Sequence, residues 1–281
     1  MITCNLMGGL GNQLFQIFTT YSYSKRIYHC VQFHYAPYLG VRPTYWHNFF
    51  ASLRHWLTLF TPMLSFSKSI EEKHFHYDPL PHPTTISPDD TIVLTGYFQS
   101  PRYFSEHYQE LVKLIGVNRF QDRIRQSDNT IPWTRTVSMH FRWGDYLNHP
   151  NEHPILSLTY YLVALRSIVE RDQSVSTVLF FCEDADLNSV LSERVNPLKL
   201  QFPFIDFVRA KSTFADWEQM LAMSCCQHHI IANSTFSWWG AYLSPPTANK
   251  LVYYPRTWFG GGFSDNDTRD LFPGHWIKIM S

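Results

Sequence analysis

A histidine and an arginine, His140 and Arg142, lie two residues apart where an apolar segment ends. Successive residues of an extended strand point to opposite faces, so both side chains are expected on one face at the end of this strand. In an open α/β sheet, ligands bind at the carboxyl ends of the strands. A planar guanidinium there can hold a phosphate through two parallel hydrogen bonds. The alternative is a structural ion pair between Arg142 and Asp145, and this motif alone favours neither interpretation.

Two further motifs could help to bind an anion. Gly144 allows the backbone to turn sharply or to approach a ligand closely. Asn233, Ser234 and Thr235 follow a predicted strand and open a predicted helix, where hydroxyl and backbone N–H groups can hold a phosphate. Simple capping of the helix is the alternative. These three residues also form a glycosylation sequon, which is expected to be unused at a buried strand end.

Acidic residues follow two other predicted elements. Glu183 and Asp184 come directly after an apolar run, at a place where carboxylates accept hydrogen bonds from a ribose or a base. Asp216 starts a predicted helix, where it either benefits from the helix dipole or contacts a nucleotide. The first turn of a helix also attracts acidic residues for structural reasons alone, so both interpretations stay open.

No metal site is predicted. Asp184-x-Asp186 and Asp265-x-Asp267 resemble metal-binding pairs, but such spacings arise easily by chance, and no further ligands lie at suggestive distances in the sequence. The five cysteines show no C-x-x-C spacing, so neither a zinc signature nor a disulfide framework is indicated. A reducing compartment fits this cysteine usage best.

Alternating strands and helices must position these groups. Residues 2–6 predict a strand, residues 7–13 a glycine-rich turn, and the apolar spacing from Leu14 to Tyr21 a helix. This layout aims backbone N–H groups at an anion, although its glycine spacing matches neither the dinucleotide fingerprint nor the P-loop. In the second half, strands alternating with helices predict a doubly wound parallel sheet. These strands are expected near 137–141, 177–182, 202–207, 229–232 and 250–254, the last of them closing the series.

Irregular sequence separates the two halves. Residues 34–90 are rich in Pro, His and aromatic residues, and we expect a helical insertion near 46–72 followed by a loop. Residues 121–133 are polar and turn-rich, so the domain boundary is placed there. The predicted domains are 1–130, with an aromatic-rich insertion at about 36–90, and 131–281.

The bulk composition excludes some classes of protein. The 281 residues carry 23 basic and 23 acidic side chains. The chain therefore lacks the excess of basic residues that general nucleic-acid binding requires. No secretory signal is recognised, and the apolar span 56–66 is too short to cross a membrane. A cytoplasmic protein is therefore expected. The aromatic stretch 36–66 could still form a dimer interface or a peripheral membrane contact.

Three motifs occur in a fixed order and together resemble glycosyltransferase family 11, the α-1,2-fucosyltransferases. Shorter segments that resemble the middle and the end of the family's sequences are 96–100, 258–259 and 276–279. The resemblance covers nearly the whole chain. The three motifs are Gly8–Gln16, His140–Tyr146 and Asn233–Ala241.

The resemblance implies a GT-B-like α/β fold with two Rossmann-like domains that face a central cleft, the second of which binds GDP-fucose. The implied reaction inverts the anomeric configuration, needs neither metal nor other cofactor, and transfers fucose to the 2-hydroxyl of a terminal β-galactoside. The N-terminal domain would lie on the acceptor side.

The resemblance also implies roles for individual residues. Arg142 would stabilise the β-phosphate of the leaving GDP, with Asn12 as the second catalytic residue, while Gly144 and Asp145 orient the loop. In the frequent family pattern a second arginine stands where this chain has Trp143, so Arg142 would act with backbone dipoles alone. The remaining donor-binding residues would be Gly11, His140, Glu183, Asp184, Asp216, Asn233, Ser234 and Thr235.

Two alternatives remain open at the level of sequence. One is a GDP-fucose-dependent transferase with another linkage, such as α-1,3, or with another acceptor. The other is an inactive glycan-binding protein on the same fold. The resemblance further indicates the form without a membrane anchor that is known from bacteria and viruses.

Overall fold

A computed structural model describes residues 1–59 and 66–280. The chain forms two compact units. The first comprises residues 1–118 and 266–273, and the second comprises residues 119–265 and those from 274 onward. The division by sequence into an acceptor-side domain 1–130 and a donor-binding domain 131–281 stays a prediction.

The first unit is built around a small parallel sheet in the order β1-β7-β6. Strands β2 and β5 pair in parallel, whereas β3 and β4 form an antiparallel ribbon. Backbone hydrogen bonds from Ile2 to Cys30 and from Gln32 to Ile2 place the segment before β2 beside β1. The elements of this unit are β1 (Ile2–Cys4), α1 (Leu10–Ile27), β2 (Phe33–His34), β3 (Tyr38–Leu39), β4 (Arg42–Pro43), β5 (Leu57–Thr58), β6 (Lys68–Glu71), β7 (Ile92–Thr95) and α2 (Tyr108–Ile115).

The second unit contains, among the described residues, a sheet of six parallel strands. Helix α3 begins just before the unit and then belongs to it. A π-helical turn, Leu191–Val195, joins α5 to α6. The elements are α3 (Val117–Ser127), β8 (Thr136–His140), α4 (Leu158–Arg171), β9 (Thr177–Phe181), α5 (Leu187–Val190), α6 (Asn196–Gln201), β10 (Asp206–Arg209), α7 (Asp216–Cys225), β11 (His228–Ile230), α8 (Thr235–Tyr242), β12 (Val252–Pro255) and β13 (Ile277–Ile279).

The strand order of this sheet is β10-β9-β8-β11-β12-β13. Numbered along the chain, this is the order 3-2-1-4-5-6 of a doubly wound dinucleotide-binding fold. The direction of winding reverses between β8 and β11, so their loops separate at the carboxyl edge of the sheet. The prediction of a doubly wound parallel sheet is thus confirmed for the second unit.

Strands β8 and β9 lie inside the sheet, and β9 is apolar except for Thr177, whereas β8 contains Thr136, Ser138 and His140. Every residue of β8 and of β9 is buried, as expected for parallel strands with both faces covered. Helix α4 begins at a cap in which the Ser157 hydroxyl accepts a hydrogen bond from the N–H of Tyr160 at 3.2 Å. The Tyr160 hydroxyl donates to the carbonyl of Ile231 at 2.6 Å, and that of Tyr161 to the carbonyl of His140 at 3.0 Å. Helix α4 therefore fixes the ends of β8 and β11.

The helical insertion expected near 46–72 is not present in the described part of that range. It contains a short 3-10 helix, Ala51–Trp56, and the strands β5 and β6. Trp46, Phe49 and Phe50 are fully buried, and their spacing imitates a helix because hydrogen-bonded turns bring them to one side. Much of the apolar span 56–66 lies outside the described residues. No helix in the described ranges is long and apolar enough to cross a membrane.

The first part of the segment 121–133 is helical and not turn-rich as its composition predicts. Helix α3 extends to Ser127, and the polar residue Gln121 lies on its buried side. The Gln121 amide donates to the Ser224 hydroxyl at 2.8 Å and to the carbonyl of Leu243 at 3.0 Å. A buried amide with partners is compatible with a packed helix. In addition, β13 follows β12, so the strand near 250–254 is not the last.

Candidate functional site

The loops that follow β8, β9 and β11 carry most of the residues selected from the sequence. They emerge at the carboxyl edge of the second unit's sheet, at and beside the point where the winding reverses. In open α/β sheets this edge is where ligands bind. The structure brings to this edge His140 as the last residue of β8 and Arg142 after it, Glu183 and Asp184 after β9, and Asn233, Ser234 and Thr235 after β11.

Arg142 is held between two carboxylates. One guanidinium nitrogen donates to Glu183 at 2.6 Å, and another donates to Asp145. The guanidinium carbon lies 5.3 Å from the ring centre of Tyr146. Burial opposes the positive charge, but Asp145, Tyr146 and Glu183 outweigh it and raise the pKa of Arg142. The ion pair with Asp145 is therefore present, and Glu183 extends it into a three-residue cluster with a permanent cation.

His140 presents a neutral imidazole beside this cluster. Its ring is buried, and the ring centre lies 5.7 Å from that of Phe236 on α8. Burial, followed by the charge of Arg142, lowers the pKa of His140 to about 3. Within the described ranges its Nδ1 atom has no hydrogen-bond partner. Buried polar atoms normally have one, so Nδ1 is a group that a ligand can satisfy.

The low pKa of His140 predicts a loss of stability in acid. Below a pH of about 6.5 the unfolded histidine binds a proton that the folded one rejects down to about pH 3. The free energy of unfolding should therefore fall with decreasing pH in this window, by about 1.4 kcal/mol per pH unit for this residue. In denaturant titrations, the stability of wild type relative to His140→Gln should drop by about 2 kcal/mol from pH 7 to pH 5. A difference that does not change with pH would contradict the assignment.

Helix α8 begins at the carboxyl end of β11, and its first residues have the predicted capping geometry. The Ser234 hydroxyl accepts a hydrogen bond from the N–H of Phe236 at 3.3 Å, and Thr235 is the first helical residue. Both side chains are half-buried. The N–H groups of this turn and the positive end of the helix dipole remain suited to an anion.

Asn233 has a structural task. Its buried amide nitrogen donates to the carbonyl of Pro154 at 3.0 Å and to that of Trp258 at 3.3 Å. Its own carbonyl accepts a hydrogen bond from the Tyr146 hydroxyl at 2.8 Å. Asn233 thus ties together the loops around the site. Its burial also makes the sequon inaccessible to glycosylation.

Asp186 is the site residue for which the sequence analysis assigned no role. Its carboxylate is buried and accepts a hydrogen bond from the N–H of Gly144 at 2.8 Å. A Cβ atom on Gly144 would lie 2.7 Å from the Asp186 carboxylate, so only glycine permits this approach. The loop that carries Arg142 and Asp145 is therefore fixed from the neighbouring strand. The only signal in the sequence was the Asp184-x-Asp186 spacing.

Two other carboxylates of the metal-like pairs, Asp184 and Asp267, have protein partners. Asp184 pairs with Arg209 at the end of β10, and Asp267 pairs with Arg269. Among the described residues no cluster of three or more His, Cys, Asp or Glu side chains could hold a metal ion. Asp216 lies exposed in the first turn of α7, beyond β10, and accepts a hydrogen bond from the N–H of Trp217 at 2.7 Å.

The glycine-rich turn lies in the first unit and is braced by the two glutamines of its motif. The Gln13 amide donates to the carbonyls of Gly8 at 3.0 Å and of Pro43 at 2.9 Å. Gln16 accepts a hydrogen bond from the N–H of Met7 at 2.8 Å. Gly8 has a φ of +74°, which favours glycine. The turn thus has a defined shape before helix α1 begins.

Gly11 and Asn12 occupy the first turn of α1. The Asn12 amide oxygen accepts a hydrogen bond from Gln99 at 3.1 Å. Gln99 belongs to the segment after β7, where the Glu72 carboxylate accepts hydrogen bonds from the N–H groups of Tyr97 at 2.7 Å and Phe98 at 2.9 Å. Two motifs that are far apart in sequence therefore meet at Asn12.

The family model of glycosyl transferase family 11 matches residues 1–280. The chain belongs to glycosyl transferase family 11. An alpha-1,2-colitosyltransferase of Escherichia coli is 25% identical to this family 11 member, with 99% of both chains covered. The O-antigen biosynthesis glycosyltransferase WbnK of Escherichia coli is 29% identical over 66% of this chain and 60% of its own.

A solved structure supports the fold of this family 11 chain. The crystal structure of an Arabidopsis thaliana FUT1 mutant in complex with GDP superimposes with a TM-score of 0.53 and 12% sequence identity. The match covers 97% of this chain and 74% of that chain. At this identity the likeness concerns the GT-B-like α/β fold alone.

The departure of this family 11 sequence at Trp143 has a structural explanation. Trp143 is buried, and the guanidinium carbon of Arg194 lies 4.5 Å from its ring centre. Arg194 comes from the π-helical turn and also donates to the carbonyl of Leu156 at 3.2 Å. Trp143 thus has a packing role, and the Arg194 guanidinium lies against its ring.

Proposed function

We propose that this family 11 glycosyltransferase transfers L-fucose from GDP-β-L-fucose to the 2-hydroxyl of a terminal β-galactoside, with inversion and without a metal ion. The observation that carries the proposal is the position of Arg142. Arg142 follows β8 and helix α8 begins after β11, and these are the two strands between which the sheet of this family 11 chain reverses its winding. This is the arrangement that a diphosphate requires.

In the proposed reaction Arg142 binds the β-phosphate of the donor. Negative charge accumulates on GDP as the bond to the sugar breaks, and a fixed cation stabilises that charge most strongly in the transition state. The N–H groups and hydroxyls of Ser234 and Thr235 would share the phosphate. His140, through its unsatisfied Nδ1 atom, would donate to or accept from the nucleotide.

Donor binding requires an exchange of partners at Arg142. Asp145 and Glu183 now occupy the guanidinium, and a phosphate must replace at least one of them. Glu183 is the better candidate because its side chain is 57% exposed and comes from a different strand. Once released, its carboxylate could accept hydrogen bonds from the ribose hydroxyls. Asp184 and Asp216 would contact the ribose or the guanine, and Asn233 would act by holding the loops.

The first unit would supply Gly11 and Asn12 to the same reaction. The hydrogen bond from Gln99 fixes the Asn12 amide, so its nitrogen is presented in one orientation. The GT-B cleft between two Rossmann-like halves, the galactose acceptor and the independence from metal belong to this proposal as well.

A second candidate is transfer of colitose instead of fucose. The supporting observation is the likeness, over 99% of both chains, to an alpha-1,2-colitosyltransferase. Colitose is fucose without its 3-hydroxyl group, so the two GDP-sugars present the same diphosphate to Arg142. A site that hydrogen-bonds a hydroxyl rejects the analogue that lacks it, by as much as about 10⁴-fold.

The test is GDP release from GDP-fucose and from GDP-colitose, with EDTA, across a panel of β-galactosides that includes lactose. We expect acceptor-dependent release from GDP-fucose, and an α-1,2 linkage in the product. Release from GDP-colitose alone would establish the second candidate, and another linkage would refute the α-1,2 assignment. Loss of activity on adding EDTA would refute metal independence. Glycan binding without binding of either donor would favour an inactive glycan-binding protein.

A further inference from the structure

A cavity in the first unit has no task in the chemistry proposed above. Its volume is about 300 Å³, and its lining includes the last residues of β1, β2 and β5. Parallel strands present their ligand sites at such ends. The volume lies at the lower limit for small-molecule pockets. It therefore suits a sugar ring better than a complete nucleotide sugar.

The lining combines neutral polar groups with aromatic rings. Asn5, Gln32 and His34 supply amide and imidazole groups, while Phe66 supplies apolar surface and the fully buried Phe33 backs the wall. Among the described residues that line the cavity there is no Asp, Glu, Lys or Arg side chain. A diphosphate would require cations, whereas sugar hydroxyls are matched by amides, which both donate and accept hydrogen bonds. The lining thus favours a neutral carbohydrate.

The polar part of the lining is held by the sheet. Cys4 is buried where β1 packs against α1, and side chains alternate along an extended strand, so the exposed Asn5 points away from that helix. The Asn5 amide nitrogen donates to the Thr95 hydroxyl at 3.1 Å, which orients it. Asn5 and His34 are exposed, whereas Phe33 is fully buried. The cavity is therefore open to solvent and has a rigid wall.

We propose that this cavity binds a neutral sugar of the glycan acceptor, at a ring other than the one that receives the transferred sugar. The proposal rests on the proposed function insofar as the glycan is an acceptor. The reacting ring has to meet the donor carbon next to the diphosphate, and no Lys or Arg side chain among the described lining residues could neutralise GDP. A second sugar ring has no such requirement, and its binding would select among acceptors.

The test measures glycan binding without any donor, by saturation-transfer NMR with lactose and with neutral tri- and tetrasaccharides that end in β-galactose. The wild-type protein should give signals from the sugar protons. Ala36→Trp, which fills the cavity, should weaken binding at least about tenfold, and Gln32→Ala by about three- to tenfold through a lost hydrogen bond. Gln109→Ala removes an exposed glutamine of α2 in the same unit and should bind like wild type.

The outcomes separate this inference from the proposed function. Absence of wild-type binding across the panel, or wild-type affinity in folded Ala36→Trp and Gln32→Ala proteins, would overturn the cavity assignment. If the wild type binds glycan, the variants lose that binding, and the wild type turns over no GDP-sugar, the cavity assignment is supported and the transferase function is rejected. If Ala36→Trp fails to fold by circular dichroism, Gln32→Ala alone decides.

Discussion

Arg142→Ala should give a folded protein whose turnover of GDP-sugar is reduced by about 10²–10³-fold. The reason is that the guanidinium is the permanent cation placed between the loops of β8 and β9, where the leaving diphosphate is proposed to lie. The loss should appear mainly in kcat, because the charge on GDP develops as the sugar bond breaks. Steady-state kinetics of GDP release would measure it.

The fold should tolerate this substitution. The side chains of Asp145 and Glu183 are 43% and 57% exposed, so both carboxylates stay hydrated without Arg142 and the cost should be at most about 1 kcal/mol. Arg125→Ala is the matched control, because Arg125 pairs with Asp122 at 3.1 Å on the exposed side of α3. The control should retain activity. Wild-type kcat in Arg142→Ala would remove this residue from the mechanism.

Gly144→Ala should lower kcat by about a hundredfold, although Gly144 is not proposed to touch the substrate. The new Cβ atom would lie 2.7 Å from the buried Asp186 carboxylate, so the loop or the carboxylate must move. Because that loop carries Arg142 and Asp145, the guanidinium would leave its position, and a displacement of about 1 Å can cost this much. Kinetics at saturating donor and acceptor would reveal the effect.

Variants of Asp186 distinguish positioning from a general loss of stability. Asp186→Asn keeps an oxygen that can accept the N–H of Gly144 and should retain most of the activity, whereas Asp186→Ala should behave like Gly144→Ala. Gly274→Ala is the control, since a Cβ atom there meets nothing within 4 Å. Equal kcat in wild type, Gly144→Ala and Asp186→Ala would show that the contact has no role in catalysis.

The parts of the site that local sequence determines were predictable. The apolar run of β9 corresponds to a fully buried strand, and the Ser234-Thr235 pair opens α8 as a cap. In each case the signal lies within a few consecutive residues. The ion pair between Arg142 and Asp145, one of the two alternatives that the motif left open, joins residues three apart.

Contacts between distant residues were not predictable. The hydrogen bond from Gly144 to Asp186 spans 42 residues, and its partners have no distinctive local pattern. Gln121 was placed in a turn-rich segment because a polar side chain gives no sign of the buried partners that satisfy it. The helix expected near 46–72 is not formed because turns gather the rings of Trp46, Phe49 and Phe50 in the core. Tertiary packing decided each of these cases.

Residues 266–273 belong to the first unit, although the residues before and after them belong to the second. This has a consequence for recombination between related proteins. Asp270 in this passage accepts a hydrogen bond from Arg102 at 2.9 Å and another, through its carbonyl, from Ser100 at 2.7 Å. In a chimaera with a single crossover near residue 118, the C-terminal half comes from another protein. Ser100 and Arg102 would then face that protein's residue in place of Asp270. Chimaeras that exchange acceptor preference between relatives should carry 266–273 together with the N-terminal half. The first unit can thus be exchanged intact only if this short C-terminal segment is exchanged with it.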